Sequence, residues 1–231
     1  MAKILFVMTG ADHWTLADGT PHPTGFWAEE AVEPYRVFTE AGYDVDVATP
    51  GGVVPTVDAG SLSPQFTGGE KGAEAMTAAL ETMTPLLEPL SLAEVDPADY
   101  AAVYYPGGHG PMEDLASDKD SARVLTEALA SGRPLGIVCH GPAALLATEG
   151  APGGSPFAGY RVTAFTNAEE TQAGLADRAP WLLQDRLNGL GVRFEEGEPW
   201  APKTVSDRNL HTGQNPASSG PLAEEIVRAL R

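Results

Sequence analysis

Apolar residues along this chain switch between two spacings. A continuous apolar run over 4–8 has the length of a buried strand, and residues 26–41 carry apolar positions at the spacing of a helix that stops at Gly42. Tyr43-Asp44-Val45-Asp46-Val47-Ala48 then alternates like a strand near a sheet edge, completing a βαβ opening. Residues 50–70, rich in Gly, Pro, Ser and Thr, predict an irregular excursion with room for a small hairpin, followed by a helix over 72–83. Strands are expected over 99–106, 134–139 and 161–165, helices over 121–131 and 181–190, a hairpin over 204–212 and an amphipathic helix over 222–230. This alternation predicts a three-layer α/β fold with a mostly parallel central sheet, in which sites lie outside the carboxyl ends of strands. A chain of 231 residues with 42% hydrophobic content suits one sizeable core, and no stretch reads as a linker, so a single domain over 1–231 is expected.

Two of those strand ends carry candidate chemistry. The only cysteine lies in Gly136-Ile137-Val138-Cys139-His140-Gly141-Pro142-Ala143, where an apolar strand runs into a sharp turn and the start of an Ala/Leu-rich helix. Glycine permits the turn, and proline is tolerated in a helix's first turn, where its missing N–H costs nothing. The pattern is that of a nucleophile elbow. A thiol so placed faces the positive end of the helix, which is expected to lower its pKa and make it a nucleophile. At the other end, Pro106-Gly107-Gly108-His109-Gly110 can present the N–H groups of Gly107 and Gly108 to an anionic oxygen. A proton acceptor is expected from Glu29, Glu30 or Glu33; neighbours on a helix diverge by about 100°, so pattern alone does not choose among them.

Charge narrows the partners. Fourteen Lys and Arg against 32 Asp and Glu give a net charge of −18, spread along the chain, which argues against nucleic acid and anionic membrane as partners. The apolar N-terminal run is too short for a signal peptide or membrane span, and a lone cysteine cannot form an internal disulfide; a cytoplasmic location is expected. His13 and His22, with Asp12 and Asp18 nearby, lack a second pair at ligand spacing and read as surface loop, so no metal site is expected. Trp14, Trp27 and Trp181 read as core or cleft wall.

Five motifs in order, Thr24-Gly25-x-x-x-x-Glu30-Ala31-x-x-Pro34-Tyr35, Pro106-Gly107-Gly108-His109-Gly110, Val138-Cys139-His140-Gly141-Pro142-Ala143, Phe165-Thr166-Asn167-x-x-Glu170 and Thr212-Gly213-Gln214-Asn215-Pro216, resemble the DJ-one/PfpI superfamily. Their spacing is most similar to its glutathione-independent glyoxalase (glyoxalase III) and heat-shock chaperone branch. The resemblance implies a flavodoxin-like three-layer sandwich and a homodimer. It also implies Cys139 as nucleophile, Glu30 as the buried glutamate contacting it, His140 as the following histidine, Glu170 as the acid orienting that histidine, and Gly108 on the oxyanion side. Glu29 where relatives often have an apolar residue, and Asn167 where aspartate is common, depart from the pattern. The implied reaction converts methylglyoxal and water to lactate, with no cofactor and a small 2-oxoaldehyde as the partner. A holdase chaperone, a redox sensor using the same thiol, and a cysteine amidase or hydrolase stay open as alternatives.

Overall fold

The computed structural model describes residues 2–231. Its strands are β1 (Lys3–Val7), β2 (His13–Thr15), β3 (Pro21–Pro23), β4 (Asp44–Thr49), β5 (Leu90–Ser91), β6 (Ala102–Tyr105), β7 (Leu135–Val138), β8 (Arg161–Val162), β9 (Arg193–Phe194), β10 (Thr204–Asp207) and β11 (Leu210–Gly213). Its α-helices are α1 (Ala28–Glu40), α2 (Pro64–Thr67), α3 (Glu70–Thr82), α4 (Gly110–Glu113), α5 (Lys119–Ser131), α6 (Asn167–Ala173), α7 (Leu183–Leu190) and α8 (Ser219–Ala229).

Seven strands form one sheet in the order β10-β11-β7-β6-β1-β4-β5, parallel except for β10, which returns antiparallel along β11. Every residue of β6, β7 and β11 is buried, as expected of central strands covered on both faces. Consecutive tyrosines show the two outer layers. The Tyr104 ring packs on Phe6 and Phe38 toward α1, while the hydroxyl of Tyr105 lies 3.3 Å from Ser121 of α5; side chains one apart on a strand point to opposite faces. The flavodoxin-like, mostly parallel sandwich is therefore the observed fold. The order of strand addition reverses at β1, with β4 on one side and β6 and β7 on the other, so the carboxyl ends of β1, β6 and β7 open at a topological switch point, where ligands bind in folds of this kind.

The long periodic elements lie where the spacing predicts, shifted by one to three residues at their ends. Four differences have local causes. No hairpin forms within 50–70: the excursion is built of 3₁₀ turns and α2, and its Ser61 hydroxyl accepts the N–H of Ala28 at 3.1 Å, capping α1 from outside. A hairpin instead precedes α1, pairing β2 with β3. The segment after Cys139 is a 3₁₀ helix, Gly141–Thr148. The strand expected over 161–165 is only two residues long and pairs with β9 in a separate sheet.

Candidate functional site

Cys139 follows β7 and adopts φ +59°, a left-handed backbone that non-glycine residues rarely hold. Both of its backbone groups are tied down: its N–H donates to Gly213 O and its carbonyl accepts from Phe165, each at 2.9 Å. These bonds set the elbow and leave the side chain at the floor of a cavity of about 600 Å³, with the thiol almost wholly buried.

Two titratable side chains, His140 and Glu30, lie close to the sulfur. His140 Nδ1 lies 3.4 Å from Sγ, and His140 Nε2 lies 2.7 Å from Glu170 Oε2. Burial and the neighbouring His109 lower the His140 pKa, whereas Glu170, which burial alone would raise, is held well below the usual carboxylate range by His140 and His109. A neutral His140 beside an ionised Glu170 carries its proton on Nε2, so the Nδ1 lone pair faces the thiol. Close to the thiol stands Glu30 as well, fully buried in the first turn of α1, with Oε2 taken by the Gly107 N–H and Oε1 without a hydrogen-bond partner among the described residues. Burial pushes Glu30 up to about 8, so it is protonated at neutral pH. Burial and the adjacent Glu30 likewise push the Cys139 thiol well above its ordinary value. Desolvation and a second acid thus act against the lowering expected from the helix end.

The site residues named from the sequence do come together, with one change of duty. Gly107 N–H donates to Glu30 Oε2 at 2.7 Å and is not available to an oxyanion; it fixes the glutamate instead. A Cβ at Gly107 would lie 2.7 Å from both Glu30 Oε2 and the His140 nitrogen, so only glycine fits. The Gly108 N–H lies close enough to the Cys139 sulfur to favour its thiolate. Of the three glutamates, Glu30 is fully buried while Glu29 and Glu33 are partly exposed.

Sequence reasoning missed His109 and Glu169. His109 Nε2 lies 2.9 Å from Glu170 Oε1, so one carboxylate holds two imidazoles, and the His109 ring stacks on Trp14 with centroids 5.2 Å apart. The neighbouring glycines drew attention to the turn rather than to its histidine. Among the described residues, His109, His140 and Glu170 are the one group at metal-ligand spacing, within 4.8 Å of one another, although a metal would have to displace both imidazole–carboxylate bonds. His13 instead pairs with Asp12 at 2.7 Å, and His22 reaches the cavity wall. Glu169, fully buried, takes the N–H and hydroxyl of Thr166, the Trp200 N–H and the amides of Gln214 and Asn215 at 2.8 to 3.1 Å. It thereby joins the fourth and fifth motifs beside the site.

Among the described residues no helix is long and apolar enough to cross a membrane. The chain is 30% identical to the protein/nucleic acid deglycase HchA of Pseudomonas aeruginosa, over 99% of this chain and 80% of the relative. It is 29% identical to glyoxalase 3 of Candida albicans, over 99% of this chain and 98% of that protein. The crystal structure of glyoxalase III from Candida albicans superposes with a TM-score of 0.82 at 27% identity, covering 100% of this chain and 98% of that one. The Francisella tularensis rapid encystment protein superposes equally well, at 0.82 with 26% identity and full coverage of both chains. Residues 23–229 match the DJ-1/PfpI family, spanning all five motifs and nearly the whole sheet, and the chain is a member of that family.

Proposed function

We propose that the protein is a glutathione-independent glyoxalase that converts a 2-oxoaldehyde and water into a 2-hydroxy acid, as in methylglyoxal to lactate, with Cys139 as its nucleophile. The observation that carries this reading is a thiol 3.4 Å from His140 Nδ1 and close to a second, fully buried acid, Glu30, whose Oε1 has no hydrogen-bond partner among the described residues. Acyl transfer alone needs one base at the nucleophile. An internal oxidation–reduction between adjacent carbons needs a second group that lifts a proton from one carbon and delivers it to the next.

In this mechanism His140 takes the thiol proton as sulfur adds to the aldehyde carbon. The oxygen that becomes negative lies toward the Gly108 N–H and the N–H of His140, the residue after the nucleophile. Protonation of that oxygen gives a hemithioacetal. Glu30, having passed its proton on, removes the hydrogen of the sulfur-bearing carbon, giving an enediol, and returns a proton to the adjacent carbon, leaving a 2-hydroxyacyl thioester. Water then cleaves the acyl–sulfur bond and restores the thiol. Every step uses the protein's own groups and water. Glu170 stays ionised throughout and supports the imidazolium that forms on His140.

The test is incubation with methylglyoxal in the absence of glutathione, with lactate as the readout. The wild type is expected to produce lactate, and Cys139→Ala and Cys139→Ser to produce none above the uncatalysed rate while melting within a few degrees of the wild type. Substantial lactate from Cys139→Ala rejects the mechanism.

A further inference from the structure

The glyoxalase chemistry occupies only one end of the cavity. At roughly 30 Å³ per water molecule, a space of about 600 Å³ holds about twenty waters, far more than a three-carbon aldehyde displaces. Gly108, His140 and His109 gather at the thiol end, and His22, Thr24, Thr56, Asp12 and Asp58 are the other polar side chains of the lining. Much of the remaining wall is apolar and aromatic, with Trp27, Phe66, Phe165, Leu175 and Trp200 prominent.

Two of these rings are held at a cost. Trp200 has φ +64°, a left-handed backbone that is strained for so large a residue, and it is more than a third exposed. Its N–H donates to Glu169 at 2.8 Å, its indole Nε1 donates to Gln172 at 2.6 Å, and its ring meets Phe165 edge-on at 5.4 Å. Phe165 in turn lies 4.3 Å from the His140 ring, so an aromatic wall runs from Trp200 to the chemistry. Phe66, carried by α2, is nearly half exposed and meets Trp27 edge-on at 5.1 Å. Leaving two large rings in water while fixing their orientation makes sense if a ligand covers them.

The lining also states what the ligand lacks. Among the described residues no Lys or Arg faces the cavity, which leaves an anionic tail without a permanently charged partner. Its two aspartates are engaged elsewhere, Asp12 with the His13 ring at 2.7 Å and Asp58 with the Thr24 hydroxyl and the Gly60 N–H at 2.6 and 2.8 Å. We infer that the cavity selects a 2-oxoaldehyde bearing an uncharged aromatic ring on its keto carbon, as in phenylglyoxal, and that Phe66 and Trp200 are the residues that read the ring.

This inference rests on the glyoxalase reading and uses the same balanced steps. Sulfur bonds to the aldehyde carbon, that carbon's proton moves to the ring-bearing carbon, and water releases mandelate and the free thiol.

The experiment measures kcat/KM for phenylglyoxal and methylglyoxal, with mandelate and lactate as products, in the wild type, Phe66→Ala and Trp200→Gly. Glycine suits the left-handed backbone at position 200, so that variant removes the ring without adding strain. Intrinsic reactivity of the two aldehydes cancels when the phenyl-to-methyl ratio is compared between proteins. The wild type is expected to favour phenylglyoxal through a lower KM, and each variant to lower the ratio by about tenfold, the usual worth of an apolar pocket contact. Trp200→Phe, which returns a ring, is expected to recover part of it. A ratio unchanged in both variants, or a wild type that favours methylglyoxal, overturns the inference and leaves the glyoxalase reading standing. Turnover of neither aldehyde by the wild type overturns both.

Discussion

The proton on Glu30 is a stability term as well as a chemical one. In the unfolded chain this carboxyl ionises near its ordinary value of 4.5, whereas in the folded protein burial holds the proton until about 8. Between those values the unfolded state binds fewer protons, so the Glu30 contribution to stability falls as pH rises through that window, by at most about 1.4 kcal/mol per pH unit. Glu170 acts with the opposite sign and in another window. Its depressed pKa contributes stability that is present above 4.5 and lost as pH falls below it. Urea denaturation of wild type and Glu30→Gln at pH 5, 6, 7 and 8 isolates the Glu30 share, because the histidines whose pKa burial lowers are common to both proteins. The Gln variant is expected to gain on the wild type steadily from pH 5 to pH 8; parallel curves would show that Glu30 is ionised in the fold. In the lactate assay Glu30→Gln is expected to lose turnover severely, since an amide donates a hydrogen bond but carries no substrate proton. Glu29→Gln, at a partly exposed position, is expected to retain near-normal kinetics and to change stability by about half a kcal/mol or less. At this scale the sequence displayed the residue types but not their partners. Helical spacing leaves Glu29 and Glu30 equivalent until Gly107, 77 residues away, accepts one of them as the partner of its N–H.

Among the elements, α6 shows how a local signal acquires a distant role. Thr166 and Glu169 form a capping box, with the Thr166 side chain receiving the Glu169 N–H and the Glu169 carboxylate receiving the Thr166 N–H. The second carboxylate oxygen is shared among Trp200, Gln214 and Asn215, which ties α6 to the loop before β10 and to the turn after β11. Glu169→Ala would strand several buried donors at once and is expected to cost about 3 kcal/mol or more in chemical denaturation, with Glu169→Gln recovering part of it. A loss under 1 kcal/mol would show that water replaces the carboxylate. The long helices were legible because each repeats its period several times, and the central strands because each is a continuous apolar run bounded by turn residues. Elements of two to four residues, such as β2, β3, β8, β9 and α4, contain less than one clear repeat. The 3₁₀ form of 141–148 was not legible either. Its Gly-Pro-Ala-Ala-Leu-Leu run suits any helix, and a segment buried at almost every position carries no amphipathic stripe by which to judge its pitch.

For the whole molecule, a net charge of −18 is a self-repulsion that salt relieves. The Debye length shrinks from about 30 Å at 0.01 M to about 8 Å at 0.15 M ionic strength, so the melting temperature is expected to rise by a few degrees across that range. A fall in melting temperature, measured by differential scanning fluorimetry, would show that attractive ion pairs such as Arg161–Glu195 outweigh the repulsion. Fold class, the order of the long elements, the acidic character and the residue types gathered around Cys139 were determined by the sequence alone, because periodicity, charge and motif spacing are properties of neighbours along the chain. Strand order, the assignment of the Gly107 N–H to Glu30, the pairing of His109 with Glu170 across 61 residues, the raised thiol pKa and the aromatic cavity were decided only by the tertiary structure. Each depends on desolvation and on directional contacts between segments far apart in the chain, and these come into being only when the sheet, α1 and the 50–70 excursion pack around the switch point.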